Sequence, residues 1–178
     1  MSTSSASMAR ALDSHLVLNS LGRVAAQFYA ATQKESDELY ALSDYLSLGM
    51  RLLGSVPTSL ANEARLLALY AELLRSIKYS GLQLALEAPD DCARQMAAHS
   101  SCHALALLLQ TARPEARQTL RVAARFSEQG ARLELADVNL DGDPQERLAR
   151  LQKELALQCP GWRMGACDAR TLALEWTA

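Results

Sequence analysis

The sequence lacks three features that would assign a function class at once. Its 18 basic and 20 acidic residues nearly cancel, and no run of lysine or arginine forms the basic stripe of a nucleic-acid-binding protein. No apolar run approaches the roughly 20 residues that span a bilayer. Residues 1–8 are small and polar, without the charged start and apolar stretch of a secretory signal. We therefore expect a cytoplasmic protein that binds neither nucleic acid nor membrane, with a disordered tail at 1–8.

Cysteine is scarce and unclustered. The four cysteines are Cys92, Cys102, Cys159 and Cys167, and none forms a C-x-x-C pair. Their spacing predicts no metal site. Because nothing indicates export, reduced thiols are expected, although Cys159 and Cys167 lie across a Pro-Gly turn and could pair.

Aliphatic side chains are expected to pack the helices of the first third of the chain, because aromatic residues make up only 5% of the whole sequence. Heptad spacing predicts helices over about 9–34 and 35–53. The seam residues are Val17, Leu21, Val24 and Phe28 in the first helix and Leu39, Leu42, Leu46, Gly49 and Leu53 in the second. A hairpin is favoured over one continuous helix, because short seams need a partner, and two hairpins make a four-helix bundle.

The remainder reads as an α/β unit, so the predicted class is α+β. Helices are expected from Thr58 or Ser59 to about 79, over 91–111 and over 145–158. Strands are expected over 82–88, 118–126, 132–138, 162–166 and 171–177. The predicted boundary separates a helical hairpin at 9–55 from an α/β domain at 56–178.

One stripe of the first helix has the residues of a phosphoryl-accepting site. At 100° per residue, Asn19, Gly22 and Ala26 lie within about 40° of His15, and Arg23 is adjacent. An accepting imidazole must be exposed, and Asn19 could hold its tautomer by a hydrogen bond. Small residues on the stripe would let a partner domain approach. Spacing alone leaves a plain surface histidine as the alternative.

The other two histidines, His99 and His103, are four residues apart on a predicted helix. That spacing can bind a metal, but no H-E-x-x-H pattern accompanies it. We expect both to be surface histidines.

Several motifs together resemble the LytS-type sensor histidine kinases. They are His15-Leu16-Val17-Leu18-Asn19-Ser20-Leu21-Gly22, the segment 42–46, the segment 56–63 followed by 69–72, and the strand and turn at 82–90. The resemblance covers about 12–90 by motif and the rest only in layout, and the family's proline before the histidine is Ser14 here. It implies that His15 is the phosphoacceptor and Asn19 its orienting residue.

The resemblance also implies an architecture. Residues 9–55 would form a homodimeric four-helix bundle, with Gly22, Arg23 and Ala26 docking a partner. Residues 56–178 would form an ATPase-like α/β sandwich.

The nucleotide motifs of that family are degraded in this sequence. Leu109 and Gln110 stand where the family has a Glu-Asn pair, and the D-x-G-x-G box keeps Asp137 but loses its glycines. The second glycine-rich loop and lid have no counterpart. Mg-ATP would thus lack its Asn ligand and most of its amide cradle, leaving Gln110 and Asp137 as a nucleotide remnant.

The expected function is therefore histidine phosphotransfer between receiver aspartates through His15. No cofactor is expected on this chain, because the partner receiver supplies Mg²⁺. The expected partners are receiver domains of response regulators, with a sensor kinase as a further candidate. The alternatives are a non-catalytic adaptor or pseudokinase that regulates a response regulator or kinase, and a weak ATP-dependent kinase.

Overall fold

Apolar periodicity arranges the chain into helices that cover one face of a five-stranded sheet. The computed structural model describes residues 26–32, 36–53, 57–89, 94–115, 117–138, 144–168 and 170–177. Residues 26–32 are helical, and the further helices are α1 (Asp37–Leu53), α2 (Leu60–Ile77), α3 (Ser100–Ala112) and α4 (Pro144–Gln158). The strands are β1 (Thr58–Ser59), β2 (Leu82–Glu87), β3 (Gln95–Met96), β4 (Leu120–Ser127), β5 (Gly130–Ala136), β6 (Trp162–Met164) and β7 (Thr171–Trp176). The predicted α+β class is confirmed.

The main sheet is mixed. Its strand order is β2-β4-β5-β7-β6, with β2 parallel to β4 and the other neighbours antiparallel, while β1 and β3 form a separate antiparallel pair. Alternate residues of β4 are buried, and Val122 and Ala124 lie opposite Leu135 and Leu133 of β5. Alternation of apolar and polar residues therefore determines where the strands form. It also determines which face of the sheet is apolar and covered by α2, α3 and α4.

The opposite face of the sheet is polar and paired by charge. Arg125 contacts Glu87 at 3.0 Å, and Arg132 contacts Glu175 at 2.7 Å across neighbouring strands. All four side chains are at least 40% exposed. Exposed pairs of this kind contribute about 0–1 kcal/mol each, so they make this face soluble more than they stabilise the sheet.

Helix α2 begins where the sequence predicts. Ser59 is its N-cap, and the Ser59 hydroxyl accepts a hydrogen bond from the backbone N–H of Asn62 at 3.3 Å. One face of α2 is buried toward the sheet, and its residues are Leu60, Ala64, Leu67, Ala71 and Leu74.

The helix expected over 91–111 begins later than predicted, at Ser100. Residues 91–93 lie outside the described residues, and Gln95–Met96 form a strand instead of a helical turn. Met96 pairs with Thr58 and is buried. The apolar residues of this segment are spaced as in a helix. Pairing with β1 instead provides the backbone hydrogen bonds and buries the Met96 side chain.

The cysteines that the structure describes are unpaired. Cys102 and Cys159 are buried and Cys167 is half-buried, while Cys92 lies outside the described residues. Cys159 and Cys167 do not form the disulfide that their spacing would permit. Of the helices within the described ranges, none is long and apolar enough to cross a membrane.

Candidate functional site

Most of the predicted phosphoacceptor stripe lies outside the described residues. His15, Asn19, Gly22 and Arg23 all precede the first described position. Ala26 is exposed, as is every residue of the helical stretch 26–32. The geometry of His15 therefore remains an expectation, and the described site begins with α1.

Helix α1 has two apolar faces instead of one. The inner face is turned toward the domain, with Ala41, Leu48 and Leu52 buried. The outer face is a half-exposed stripe, which we call the outer stripe, made of Leu39, Leu42, Leu46 and Met50. At 100° per residue the centres of the two faces lie about 145° apart, and acidic Asp37 and Asp44 and basic Arg51 lie outside both.

The predicted seam of the second helix is thus divided between the two faces. Leu39, Leu42 and Leu46 belong to the outer stripe. Gly49 is buried on the side that faces α2 and α3, where a Cβ atom would lie 3.7 Å from the side chain of Leu66. Leu53 ends the helix, and its side chain lies outside the described atoms. The expectation that one seam faces a single partner is wrong for Gly49, because the domain itself covers that side.

Aliphatic and aromatic contacts hold the inner face in place. Leu48 and Leu52 form a buried cluster with Leu66 of α2 and Cys102 of α3. Beside it, the rings of Tyr45 and Tyr70 lie 5.4 Å apart with planes tilted by 36°. Helix α1 therefore shares a core with α2 and α3.

A buried carboxylate caps α3. Glu63 is fully buried on α2, and its Oε1 accepts the backbone N–H of His99 at 2.6 Å. Its Oε2 accepts the backbone N–H of Ser101 at 3.1 Å and the Ser101 hydroxyl at 2.6 Å. A negative charge at the start of a helix meets unpaired N–H groups and the positive end of the helix dipole. Glu63 therefore does for α3 what an N-cap side chain usually does.

His99 connects this cap to α1. Its backbone is left-handed, with φ of 64°, and its ring Nε2 lies 3.0 Å from the carbonyl oxygen of Gly49. The expectation of a helix-surface histidine is wrong for His99, which is half-buried and precedes the helix. It holds for His103, which is exposed on α3.

The Cys102 thiol and the Tyr45 and Tyr70 phenols at this junction are poor nucleophiles at neutral pH. Burial raises the pKa of Cys102, and the nearby Glu63 carboxylate raises it further. Burial also raises the pKa of Tyr45 and of Tyr70. These groups stay protonated, which points to packing and positioning instead of covalent chemistry.

The two residues of the predicted nucleotide remnant lie in different layers. Gln110 is exposed on α3, in the helical layer. Asp137 follows β5, and its carboxylate contacts Arg121 at 3.5 Å on the polar face of the sheet. Its backbone carbonyl accepts a hydrogen bond from the Gln118 side chain at 3.0 Å. Among the described residues, no hydrogen bond or ion pair joins Gln110 to Asp137.

A small cavity opens between α2 and the edge strand β2. Its volume is about 130 Å³, and it is lined by Ala68, Ala71, Glu72, Arg75, Leu82 and Leu84. Pockets for drug-sized ligands and cofactors usually measure about 300–1,000 Å³. This cavity is smaller than that range, and the Glu72–Arg75 ion pair of 3.2 Å is part of its lining. Elsewhere in the described ranges, no three His, Cys, Asp or Glu side chains form a group that could hold a metal ion.

Comparison with known proteins gives a distant structural likeness. No protein-family model and no curated protein matches the chain. The chain is similar to the histidine kinase domain of the E. coli osmosensor EnvZ, with 14% identity over 67% of this chain and 85% of that one, at a TM-score of 0.44. EnvZ belongs to the broad class that the sequence motifs resemble, the histidine kinases. A likeness of this size carries no argument about function.

Proposed function

We propose that this chain is a homodimeric histidine phosphotransfer protein of two-component signalling, with His15 as its phosphoacceptor. The observation that carries the proposal is the outer stripe of α1. A helix that already packs one apolar face on its own domain needs a further partner for a second one, and in the predicted bundle that partner is the first helix of the hairpin together with a second copy of the chain. A second copy of the same helix would bury it in a four-helix bundle, as in the dimerisation hairpins of LytS-type kinases.

The proposed chemistry is exchange of a phosphoryl group between two side chains. The P–O bond of a receiver aspartyl phosphate breaks as a P–N bond to the His15 imidazole forms, and the reverse step loads a second receiver. Asn19 orients the ring, and Gly22, Arg23 and Ala26 form the surface that a receiver approaches. Because the receiver brings Mg²⁺ and most of the active site, this chain chiefly positions the imidazole.

Two observations support phosphotransfer over autonomous kinase activity. The carboxylate expected to read adenine, on Asp137, is paired with Arg121 on the polar face of the sheet. Leu109 and Gln110 stand where the kinases of that family carry a Glu-Asn pair, so the Asn that helps to hold Mg²⁺ is absent from that position. The proposal therefore places the protein downstream of a separate kinase, and it includes the cytoplasmic location expected from the sequence.

The test is phosphoryl transfer from a radiolabelled, phosphorylated receiver in the presence of Mg²⁺. We expect an acid-labile label on the wild-type chain, none on His15→Gln, and wild-type labelling of His103→Gln, which removes an exposed histidine elsewhere. Asn19→Ala should slow labelling without abolishing it. If the wild type binds the receiver but accepts no label, the protein is a non-catalytic adaptor and the proposal is wrong. Direct labelling from ATP would replace it with a kinase.

A further inference from the structure

We propose that His99 is a positioning residue. Its contact with Gly49, which we call the latch, holds α1 against the α/β domain and so fixes the direction in which the outer stripe points. The latch itself depends only on contacts within the described residues. Its consequence for phosphoryl transfer rests on the proposed function.

The latch begins with a backbone that is held in one conformation. Glu63 accepts the His99 N–H at 2.6 Å, and the left-handed φ of 64° turns the His99 side chain away from the direction it would take in a helix. Histidine is among the few residues other than glycine that adopt this region readily. The next residue is fixed as well, since the Trp162 indole N–H donates to the Ser100 hydroxyl at 2.7 Å. Hydrogen bonds therefore hold the start of α3 to α2 and to β6, independently of the contact between the His99 ring and α1.

The ring then forms a directional contact with α1. A carbonyl oxygen only accepts, so Nε2 carries the proton in its 3.0 Å hydrogen bond to the Gly49 oxygen. The ring also lies edge-on to Tyr45, with centroids 6.3 Å apart and planes at 84°. Around it, the Leu48 and Leu52 contacts are apolar and non-directional. The hydrogen bond adds the angular preference that these contacts lack.

Gly49 is required for the ring to approach. A Cβ atom at this position would lie 2.9 Å from His99 Cε1, closer than side chains pack. Glycine inside a helix is otherwise unfavourable relative to alanine. The position therefore gives up helix propensity for a contact that only glycine permits.

Phosphoryl transfer would depend on the latch because α1 carries the outer stripe. If the contact is lost, α1 keeps its apolar packing but is free to change its angle against the domain. A receiver that docks on the hairpin and on the α/β domain together would then meet a displaced imidazole. Misplacement of about 1 Å can slow a positioned reaction by about a hundredfold.

The first measurement is hydrogen exchange of the α1 amides at residues 37–53, compared with those of α4 at 144–158, in the full chain. His99→Asn keeps a residue suited to the left-handed backbone but is too short to reach Gly49, and Gly49→Ala blocks the ring. Each should raise exchange in α1 by about tenfold and leave α4 unchanged. His99→Gln places an amide N–H near the position of Nε2 and should restore most of the protection. Ser47→Ala, on the same helix away from His99, is the control.

The second measurement is the transfer rate from the phosphorylated receiver, in the same variants. We expect slower transfer in His99→Asn and Gly49→Ala, recovery in His99→Gln, and no further loss when the two disruptive changes are combined. Unchanged α1 exchange, or an equal rise in α4, would overturn the latch. Selective α1 opening with a wild-type transfer rate would overturn its role in positioning. Selective opening in a chain whose wild type transfers nothing would leave the latch standing and remove the proposed function instead.

Discussion

The carboxylate of Glu63 accepts two hydrogen bonds from Ser101, one from the backbone N–H at 3.1 Å and one from the hydroxyl at 2.6 Å, in a fully buried position. The other oxygen accepts the His99 N–H. A buried charge is tolerable only when its lone pairs are satisfied, and here the donors are the unpaired N–H groups at the start of α3. Glu63 therefore couples α2 to the start of α3.

Replacing this carboxylate should destabilise the protein strongly. In Glu63→Gln, an amide NH₂ would replace one accepting oxygen, so that at least one buried N–H faces another donor. The expected loss is about 3 kcal/mol of unfolding free energy, measured by urea denaturation.

The matched control for this change is Glu72→Gln, an exposed carboxylate on the same helix. Glu72 is 54% exposed and, within the described residues, forms an ion pair with Arg75. Its substitution should cost less than about 1 kcal/mol. If the two variants unfold at the same urea concentration, the cap does not contribute as argued.

The sequence contains a signal for this cap that periodicity analysis passes over. Glu63 lies between Leu60 and Ala64 on the buried face of α2, so an acidic residue interrupts an apolar stripe. Its position in the first turn is equally typical of a helix start exposed to solvent. Only the placement of α3 decides between the two, and that is a tertiary contact across 36 residues or more.

The elements themselves are largely predictable, because their signals are local. Alternation in 120–127, the Gly130 turn and the helix that ends before Pro160 all follow from neighbouring residues. Gly161, with φ of 94°, sits against the Trp176 ring, where a Cβ would lie 2.6 Å from the indole nitrogen. The start of α3 is missed because β1 and β3 pair across the chain. The two faces of α1 are missed because heptad spacing shows which positions are apolar. It does not show which of them pack against the rest of the same chain.

Stability should fall in alkaline solution through Cys159. Burial raises the pKa of this thiol from about 9 to about 11. Because the folded-state pKa lies above the unfolded-state value, the contribution is complete below pH 9 and is lost as the pH rises to about 11. The loss is of the order of 2–3 kcal/mol.

The measurement is urea denaturation of the wild type and Cys159→Ala at several pH values between 8 and about 11. Substitution should reduce stability by a constant amount through the lost sulfur and should flatten the pH dependence. Other buried groups, such as Tyr45, titrate in both proteins and cancel in the difference. Parallel curves for the two proteins would contradict the assignment to Cys159.

Nucleotide binding should be absent, and Asp137 should be dispensable for the fold. Its carboxylate is 47% exposed and contacts Arg121, which is 69% exposed. Asp137→Ala should therefore change the unfolding free energy by less than about 1 kcal/mol. Calorimetric titration of the wild type with Mg-ATP should give no binding heat. Measurable binding that disappears in Asp137→Ala would instead place an adenine site at this residue.

The outer stripe of α1 should hold two chains together. Leu42, Leu46 and Met50 are half-exposed in one copy, and a helix partner would bury them at about 25 cal/mol per Å² of apolar surface. Leu46→Asp places a charge in the middle of that surface and should convert a dimer to a folded monomer in sedimentation at micromolar concentration. Tyr40→Asp is the matched control, because this ring is 51% exposed on the polar side of α1, and its loss should leave the dimer intact. A monomeric wild type would contradict the dimeric four-helix bundle, because no second copy of α1 would then cover the outer stripe.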